Sequence, residues 1–232
     1  AKSLSSMSDT TNIRRCLEMI VNSSKPRQYQ NVDILDSVAD RITIEFLKYT
    51  NRVSPQKLTV QNKEYKNIIA SFGPENASRI IVGAHYDVCG NQDGADDDAS
   101  GVAGILELSR LLANKPLTYR IDLVAYTLEE PPLFGSKYMG SYIHAKSLHD
   151  SNAPVTGMIS MEMIGFFSDK IKSQEYPVGI LEWIYGNKGN YITIVQKSFG
   201  GGFAKKYKQL AFKNNSILTK SLRAPSIFGG ID

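Results

Sequence analysis

The first fifty residues repeat apolar side chains at helical spacing. A first helix is predicted to begin at Asp9 or Thr10 and to run to Ile20, and a second to cover residues 33–49, with Pro26 between them. The apolar positions that define these faces are Ile13, Cys16, Leu17, Ile20, Ile34, Val38, Ile42 and Phe46. Each helix therefore has one face suited to packing against a core.

Short apolar runs alternate with helical segments in the rest of the chain. Strands are predicted at residues 57–61, 65–72, 79–85, 119–127, 155–161 and 191–196, and helices at residues 100–113 and 135–148. This alternation predicts an α/β fold with a largely parallel sheet. Since no repeat, low-complexity stretch or linker divides the sequence, one domain over residues 1–232 is expected.

The composition is that of a folded globular domain without a membrane span or a disulfide framework. Hydrophobic residues make up 42% and charged residues 22% of the 232 residues, as in a folded globular domain. No apolar run approaches the roughly 20 residues of a transmembrane helix, so no membrane span is expected. Cys16 and Cys89 are too few for a disulfide framework. The first ten residues lack the apolar core of a signal peptide, and the compartment stays open.

The C-terminal segment is basic. Residues 183–231 contain eight Lys and Arg and no acidic residue, although the net charge of the whole chain is only +4. A nucleic-acid footprint is one interpretation. The solvated face of a helix fits better, because an apolar stripe separates the lysines: Phe203, Tyr207, Leu210 and Ala211. No nucleic-acid partner is therefore expected.

Chemistry-bearing residues follow the predicted strands. The third strand ends at His85, and Asp87, two residues on, has the spacing to orient the imidazole. An acidic loop follows, with Asp93 and three consecutive aspartates at residues 96–98. Such aspartates repel one another unless a cation or water screens them.

Carboxylates also end the next two strands. Glu129 and Glu130 follow the strand at residues 119–127, and Glu162 lies between two methionines after the strand at residues 155–161. Adjacent carboxylates at a buried strand end are costly unless one binds a metal or is protonated. Three strand ends that deliver imidazole and carboxylates to one edge therefore indicate a divalent cation, with zinc favoured and cobalt or manganese possible.

Four segments in order carry a family resemblance: GAHYD, GADDDASGVAG, TLEEPPLFGS and MEMIG. They resemble the M28 family of zinc aminopeptidases, most closely the bacterial members with an EEPP motif. The resemblance covers residues 79–165 strongly and the flanks only in element order. It implies a zinc-exopeptidase-like fold, in which a mostly parallel mixed sheet is flanked by helices in a three-layer sandwich, and a co-catalytic pair of zinc ions.

Carried onto this sequence, the resemblance implies these metal ligands: His85, Asp97, Glu130 and Glu162. Asp97 would bridge two ions, His85 and Glu162 would bind the first, and Glu130 the second. The peptide bond after the bridging aspartate is often cis in this family.

The resemblance also implies two catalytic residues that bind no metal. Asp87 would hold the His85 ring. Glu129 would be the general base, which takes a proton from the attacking water and passes it to the leaving amine.

The sequence departs from the family at its C-terminal end. A further histidine ligand is expected there, yet the only other histidines, His144 and His149, lie five residues apart on the predicted fourth helix and read as surface residues. The final residues, SIFGGID, resemble the segment that precedes that ligand. The expectation is a domain that lacks its last segment, with one well-formed zinc site where the intact protein has two, and with weak or absent peptidase activity.

A second departure is Pro131-Pro132, which stiffens the loop beside Glu130 and leaves specificity open.

The leading hypothesis is a zinc aminopeptidase that acts on peptides with a free N-terminus. One alternative is a glutaminyl cyclase, which shares the fold and uses one zinc. Another is a peptidase-like domain that binds without catalysis. Relatives are commonly exported, so a periplasmic or secreted location is expected.

Overall fold

The computed structural model describes residues 8–175, 182–183, 185–197, 201–214 and 217–224. The helices are α1 (Thr10–Val21), α2 (Val32–Leu47), α3 (Gly101–Leu112), α4 (Gly140–Asp150) and α5 (Gly202–Asn214). The strands are β1 (Val53–Val60), β2 (Lys63–Phe72), β3 (Arg79–His85), β4 (Arg120–Tyr126), β5 (Val155–Ser160), β6 (Tyr191–Lys197) and β7 (Leu218–Ala224). These elements form two compact units, of which the first ends at Ile164 and the second begins at Gly165.

The first unit contains a five-stranded sheet in the order β1-β2-β4-β3-β5. β3 lies between β4 and the edge strand β5 and pairs in parallel with both, whereas β1 and β2 run antiparallel to their neighbours. The register places His85 beside Tyr126. The carboxyl ends of β3, β4 and β5 therefore meet at one edge of the sheet, as the sequence predicts.

Helices cover both faces of this sheet, which confirms the flanked α/β architecture. On one face, α1, α2 and α3 pack a continuous core whose most buried members include Ile20, Phe46, Ile105, Leu106 and Leu123. Each such side chain contributes about 1.5–3 kcal/mol by leaving water. On the other face, a smaller cluster consists of Ile81, Val124 and Tyr126, with Leu148 of α4 packed against it.

The first helix begins where the sequence predicts. Asp9 is its N-cap, and the carboxylate accepts hydrogen bonds from the backbone N–H groups of Thr11 at 2.9 Å and Asn12 at 3.1 Å. The fourth helix begins five residues later than predicted, at Gly140. The intervening residues form turns, and Gly135 at φ +68° lies outside the right-handed helical region.

His144 is buried, so its prediction as a surface residue is wrong. Its side chain is 3% exposed, and Nδ1 lies 2.9 Å from the Tyr126 hydroxyl. His149 is exposed as predicted. Residues five apart on a helix point about 140° away from each other. One of the two histidines therefore faces the sheet while the other faces solvent.

Acid is expected to destabilise the protein through His144. Burial lowers the pKa of His144 to about 4, from an ordinary value of 6.5. The unfolded chain therefore binds the extra proton first, and folding stability falls as pH drops from about 7 toward 4. The shift corresponds to a loss of about 2 kcal/mol between pH 7 and 4.5.

Urea unfolding of His144→Asn at these two pH values measures this loss, because asparagine accepts the Tyr126 bond but does not titrate. The pH dependence should shrink by about 2 kcal/mol in His144→Asn. It should stay unchanged in His149→Asn, the control on the same helix. An unchanged dependence in His144→Asn would show that His144 is not the acid-sensitive group.

The second unit pairs β6 with β7 in parallel and includes α5. The helix α5 forms where the spacing of the apolar stripe predicts one. Two residues of that stripe, Tyr207 and Leu210, are exposed among the residues that the structure describes. β7 was not predicted from the sequence. The SIFGGID segment and its expected relation to a further ligand lie outside the described residues. No helix in the described ranges is long and apolar enough to cross a membrane.

Candidate metal centre

The strand ends place three carboxylates around one imidazole. The Nε2 atom of His85 lies 3.1 Å from Asp97 Oδ1 and 3.6 Å from both Glu129 Oε2 and Glu162 Oε1. These residues come from the loop after β3 and from the ends of β4 and β5. The sequence-predicted residues therefore converge on one site.

The other ring nitrogen of His85, Nδ1, contacts Asp87. Nδ1 lies 3.2 Å from the Asp87 carbonyl oxygen and 3.6 Å from the Asp87 carboxylate. A metal-binding imidazole commonly donates its second ring N–H to such an oxygen, and Nε2 then faces the carboxylates as the ligand atom. Asp87 thus lies beside the ring, but the ring's hydrogen-bond partner is the carbonyl oxygen and not the predicted carboxylate.

Nε2 of His85 is the atom that best fits a metal ion. It is buried and has no hydrogen-bond partner, even though Asp97 is near. Burial lowers the pKa of His85, but the Asp87, Asp97 and Glu162 carboxylates outweigh it and leave the pKa raised. The site thus stabilises positive charge at Nε2, and a divalent ion supplies that charge with the ligand set that zinc prefers.

Asp87 also fixes the two glutamates that follow β4. Its carboxylate accepts hydrogen bonds from the backbone N–H groups of Glu129 and Glu130, both at 3.1 Å. Asp87 is only 1% exposed. Asp87 therefore contacts the imidazole through its carbonyl oxygen and sets the position of both glutamates through its carboxylate.

Asp98 belongs to the site although the sequence reasoning gave it no role. It is fully buried and accepts hydrogen bonds from the backbone N–H groups of His85, Gly101 and Met163 at 3.0–3.3 Å. Burial raises its pKa to about 8. The run of three aspartates was the available signal. The Asp97–Asp98 peptide bond is cis, as the resemblance implies.

The two glutamates after β4 hold their protons more tightly than usual. Burial raises the pKa of Glu129 to about 7, and the Asp87, Glu162 and Glu130 carboxylates add to this effect against His85. Burial and then the Asp97 carboxylate raise the pKa of Glu130. A carboxylate with a pKa near neutrality is suited to proton transfer.

Two non-glycine residues next to the site have left-handed backbone conformations. Leu128, just before Glu129, has φ +61°, and Met163, just after Glu162, has φ +48°. Such conformations are uncommon for these residue types and often mark functional sites. They turn the chain at the two strand ends where the carboxylates leave the sheet.

The described residues contain two groups that could hold a metal ion. One is His85, Asp97 and Glu130, and the other is His85, Asp98 and Glu162. The four predicted ligands all occur in these groups, but in other combinations: Glu130 joins His85 and Asp97, and Asp98 takes the predicted place of Asp97 beside Glu162. Because Nε2 of His85 can bind only one ion, the two groups cannot both be filled.

Comparisons with known proteins agree with this fold. The family model of peptidase family M28 matches residues 67–221. The uncharacterized protein YfbL of Escherichia coli K12 is 36% identical over 228 residues, which cover 95% of this chain and 70% of YfbL. The chain belongs to peptidase family M28.

Solved structures share the architecture at low identity. The LapA aminopeptidase of Legionella pneumophila has a TM-score of 0.70 at 16% identity over 95% of this chain and 56% of LapA. The Bacteroides thetaiotaomicron glutaminyl cyclase has a TM-score of 0.63 at 17% identity over 92% of this chain and 77% of the cyclase. The chain thus spans little more than half of the LapA chain.

Proposed function

We propose that this protein is a zinc-dependent aminopeptidase. The observation that carries the proposal is the buried Nε2 atom of His85, which has no hydrogen-bond partner and faces the Asp97, Glu129 and Glu162 carboxylates. One imidazole cannot balance several carboxylates, and carboxylates crowded together without a cation repel one another. Membership in a peptidase family and the fold shared with an aminopeptidase support it.

The proposed ligands His85, Asp97, Glu130 and Glu162 do not all bind one ion, because His85 combines with Asp97 and Glu130 in one group and with Asp98 and Glu162 in the other. Since both geometric groups share His85, the described residues offer a complete ligand set to one ion at a time. We therefore propose one tightly bound zinc in this chain. When bound, zinc acidifies a water molecule and polarises a scissile carbonyl.

Glu129 is the proposed general base. Its carboxylate reaches the site, yet it belongs to neither ligand group, and burial brings its pKa to about 7. It can accept a proton from the attacking water and return it to the leaving amine. Asp87 positions the backbone of Glu129 by accepting a hydrogen bond from its N–H.

An N-terminal specificity assay tests the proposed function. The zinc-loaded protein is incubated with a peptide that has a free N-terminus, with the same peptide acetylated at its N-terminus, and with a peptide that begins with Gln. The expected result is slow release of the first residue from peptides with a free N-terminus and none from the acetylated peptide. Cleavage of the acetylated peptide would contradict an aminopeptidase. Ammonia release from the Gln peptide without hydrolysis would instead identify a glutaminyl cyclase.

A further inference from the structure

Arg27 is a buried cation behind the candidate metal centre. It lies between α1 and α2 and is 1% exposed, one of the largest fully buried side chains of the described chain. Burial lowers its pKa to about 10, against the opposing effect of Asp87 and Asp93, so it stays charged at neutral pH. Burying a guanidinium is expensive unless its donors are satisfied.

The guanidinium of Arg27 bonds backbone carbonyls on both ligand-bearing segments. Nε donates to Tyr86 O at 2.8 Å, and Tyr86 lies between His85 and Asp87. Nη1 donates to Asp93 O at 2.8 Å, and Nη2 donates to Gly94 O at 3.1 Å. A longer bond from Nη1 reaches Ile20 O at 3.4 Å, at the end of α1.

The backbone of Arg27 completes this link. Its carbonyl oxygen accepts a hydrogen bond from Val88 N at 3.1 Å. Both the side chain and the main chain of one residue are therefore bonded to the segment that begins with His85.

The loop at residues 88–98 packs against Arg27 at Gly94, where a side chain would not fit. Gly94 has φ +57°, and a Cβ there would lie 2.9 Å from Arg27 Nη2. The same Cβ would lie 2.2 Å from Val88 Cγ1 and 2.5 Å from the Asp97 carbonyl oxygen. Gly94 therefore lies in close contact with Val88, the Asp97 backbone and the guanidinium of Arg27.

We propose that Arg27 is a positioning residue for the metal centre, which holds the His85 segment and the Asp97 loop at a fixed separation through their backbone carbonyls. The inference deepens the proposed function and rests on it. A lysine keeps the charge but has no planar fork, so it cannot bond carbonyls of both segments with the same geometry. The planar arrangement of guanidinium donors, and not the positive charge alone, holds the two segments of the metal centre.

Zinc affinity of Arg27→Lys tests this inference. Affinity is measured by competition with a chromophoric chelator, at a temperature where circular dichroism shows each variant to be folded. Residues that orient metal ligands typically change metal affinity by about 10–100-fold, and a loss in this range is expected for Arg27→Lys. Amide exchange in the loop at residues 88–98 should also become faster in the zinc-free variant.

Arg41→Lys is the matched control. Arg41 also donates to backbone carbonyls near the end of α1, those of Met19 at 3.0 Å and Asn22 at 3.2 Å, but these bonds reach no ligand-bearing segment. A purely structural arginine would lower stability in either variant, whereas only Arg27→Lys should weaken zinc binding.

The outcomes separate this inference from the proposed function. A folded Arg27→Lys variant with wild-type zinc affinity overturns the inference alone. A wild-type chain that binds no zinc overturns the proposed function, and the inference with it. If Arg27→Lys does not fold, Arg27→Gln provides the second test, because glutamine is shorter and lacks the fork that bonds carbonyls of both segments. Weakened zinc binding in folded Arg27→Gln then supports the inference, and unchanged binding overturns it.

Discussion

Replacing Glu129 by glutamine should lower kcat by about 10²–10⁴-fold and leave zinc affinity within a few-fold of wild type. Glutamine keeps the shape of the side chain but cannot accept a proton. The hydrogen bond from the backbone N–H of residue 129 to the Asp87 carboxylate is kept, because the substitution changes only the side chain. Initial rates on a free N-terminal peptide and a zinc titration measure the two quantities.

Glu75→Gln is the control, because Glu75 is an exposed carboxylate in the loop between β2 and β3. It should keep both rate and affinity. A Glu129→Gln variant that retains more than about a tenth of the wild-type kcat would remove Glu129 from the role of general base, because that role supplies at least about 10²-fold. Loss of zinc in the same variant would instead indicate that Glu129 binds the ion.

Replacing His85 by alanine should abolish tight zinc binding and, with it, peptidase activity. His85 is shared by both ligand groups, so its loss leaves only carboxylates at the site. We expect the affinity to fall by more than the roughly 100-fold that removal of an orienting residue can cost. Calorimetric titration should show one tight equivalent in the wild type and none in His85→Ala.

His149→Ala is the matched control for this change, because His149 is exposed on α4. It should bind zinc as the wild type does. Tight binding that survives in His85→Ala would mean that the ion binds elsewhere.

The strand ends were predictable because of how buried parallel strands are built. β3 has the bounds that its apolar run predicts, and the run could be recognised because both faces of this strand are covered. Parallel neighbours bring their carboxyl ends to one edge, so residues far apart in sequence could be expected to meet. The convergence of His85, Asp97, Glu129 and Glu162 follows from that geometry.

Other features depend on tertiary contacts that no local pattern encodes. Asp98 looked like one of three equivalent aspartates, and only the backbone N–H groups around it distinguish it from Asp97. Leucine and methionine give no sign of the left-handed conformations at residues 128 and 163. The role of Arg27 was equally hidden, because its partners are backbone carbonyls that every sequence has.

The central claim is that His85 and its surrounding carboxylates hold a divalent ion. The most direct test is an anomalous difference map, collected at the zinc absorption edge, from crystals of the zinc-loaded protein. A peak within bonding distance of His85 Nε2 and of at least one oxygen of Asp97, Glu130 or Glu162 is the predicted result. A map with no peak at Nε2, from protein shown to contain zinc, would contradict the claim.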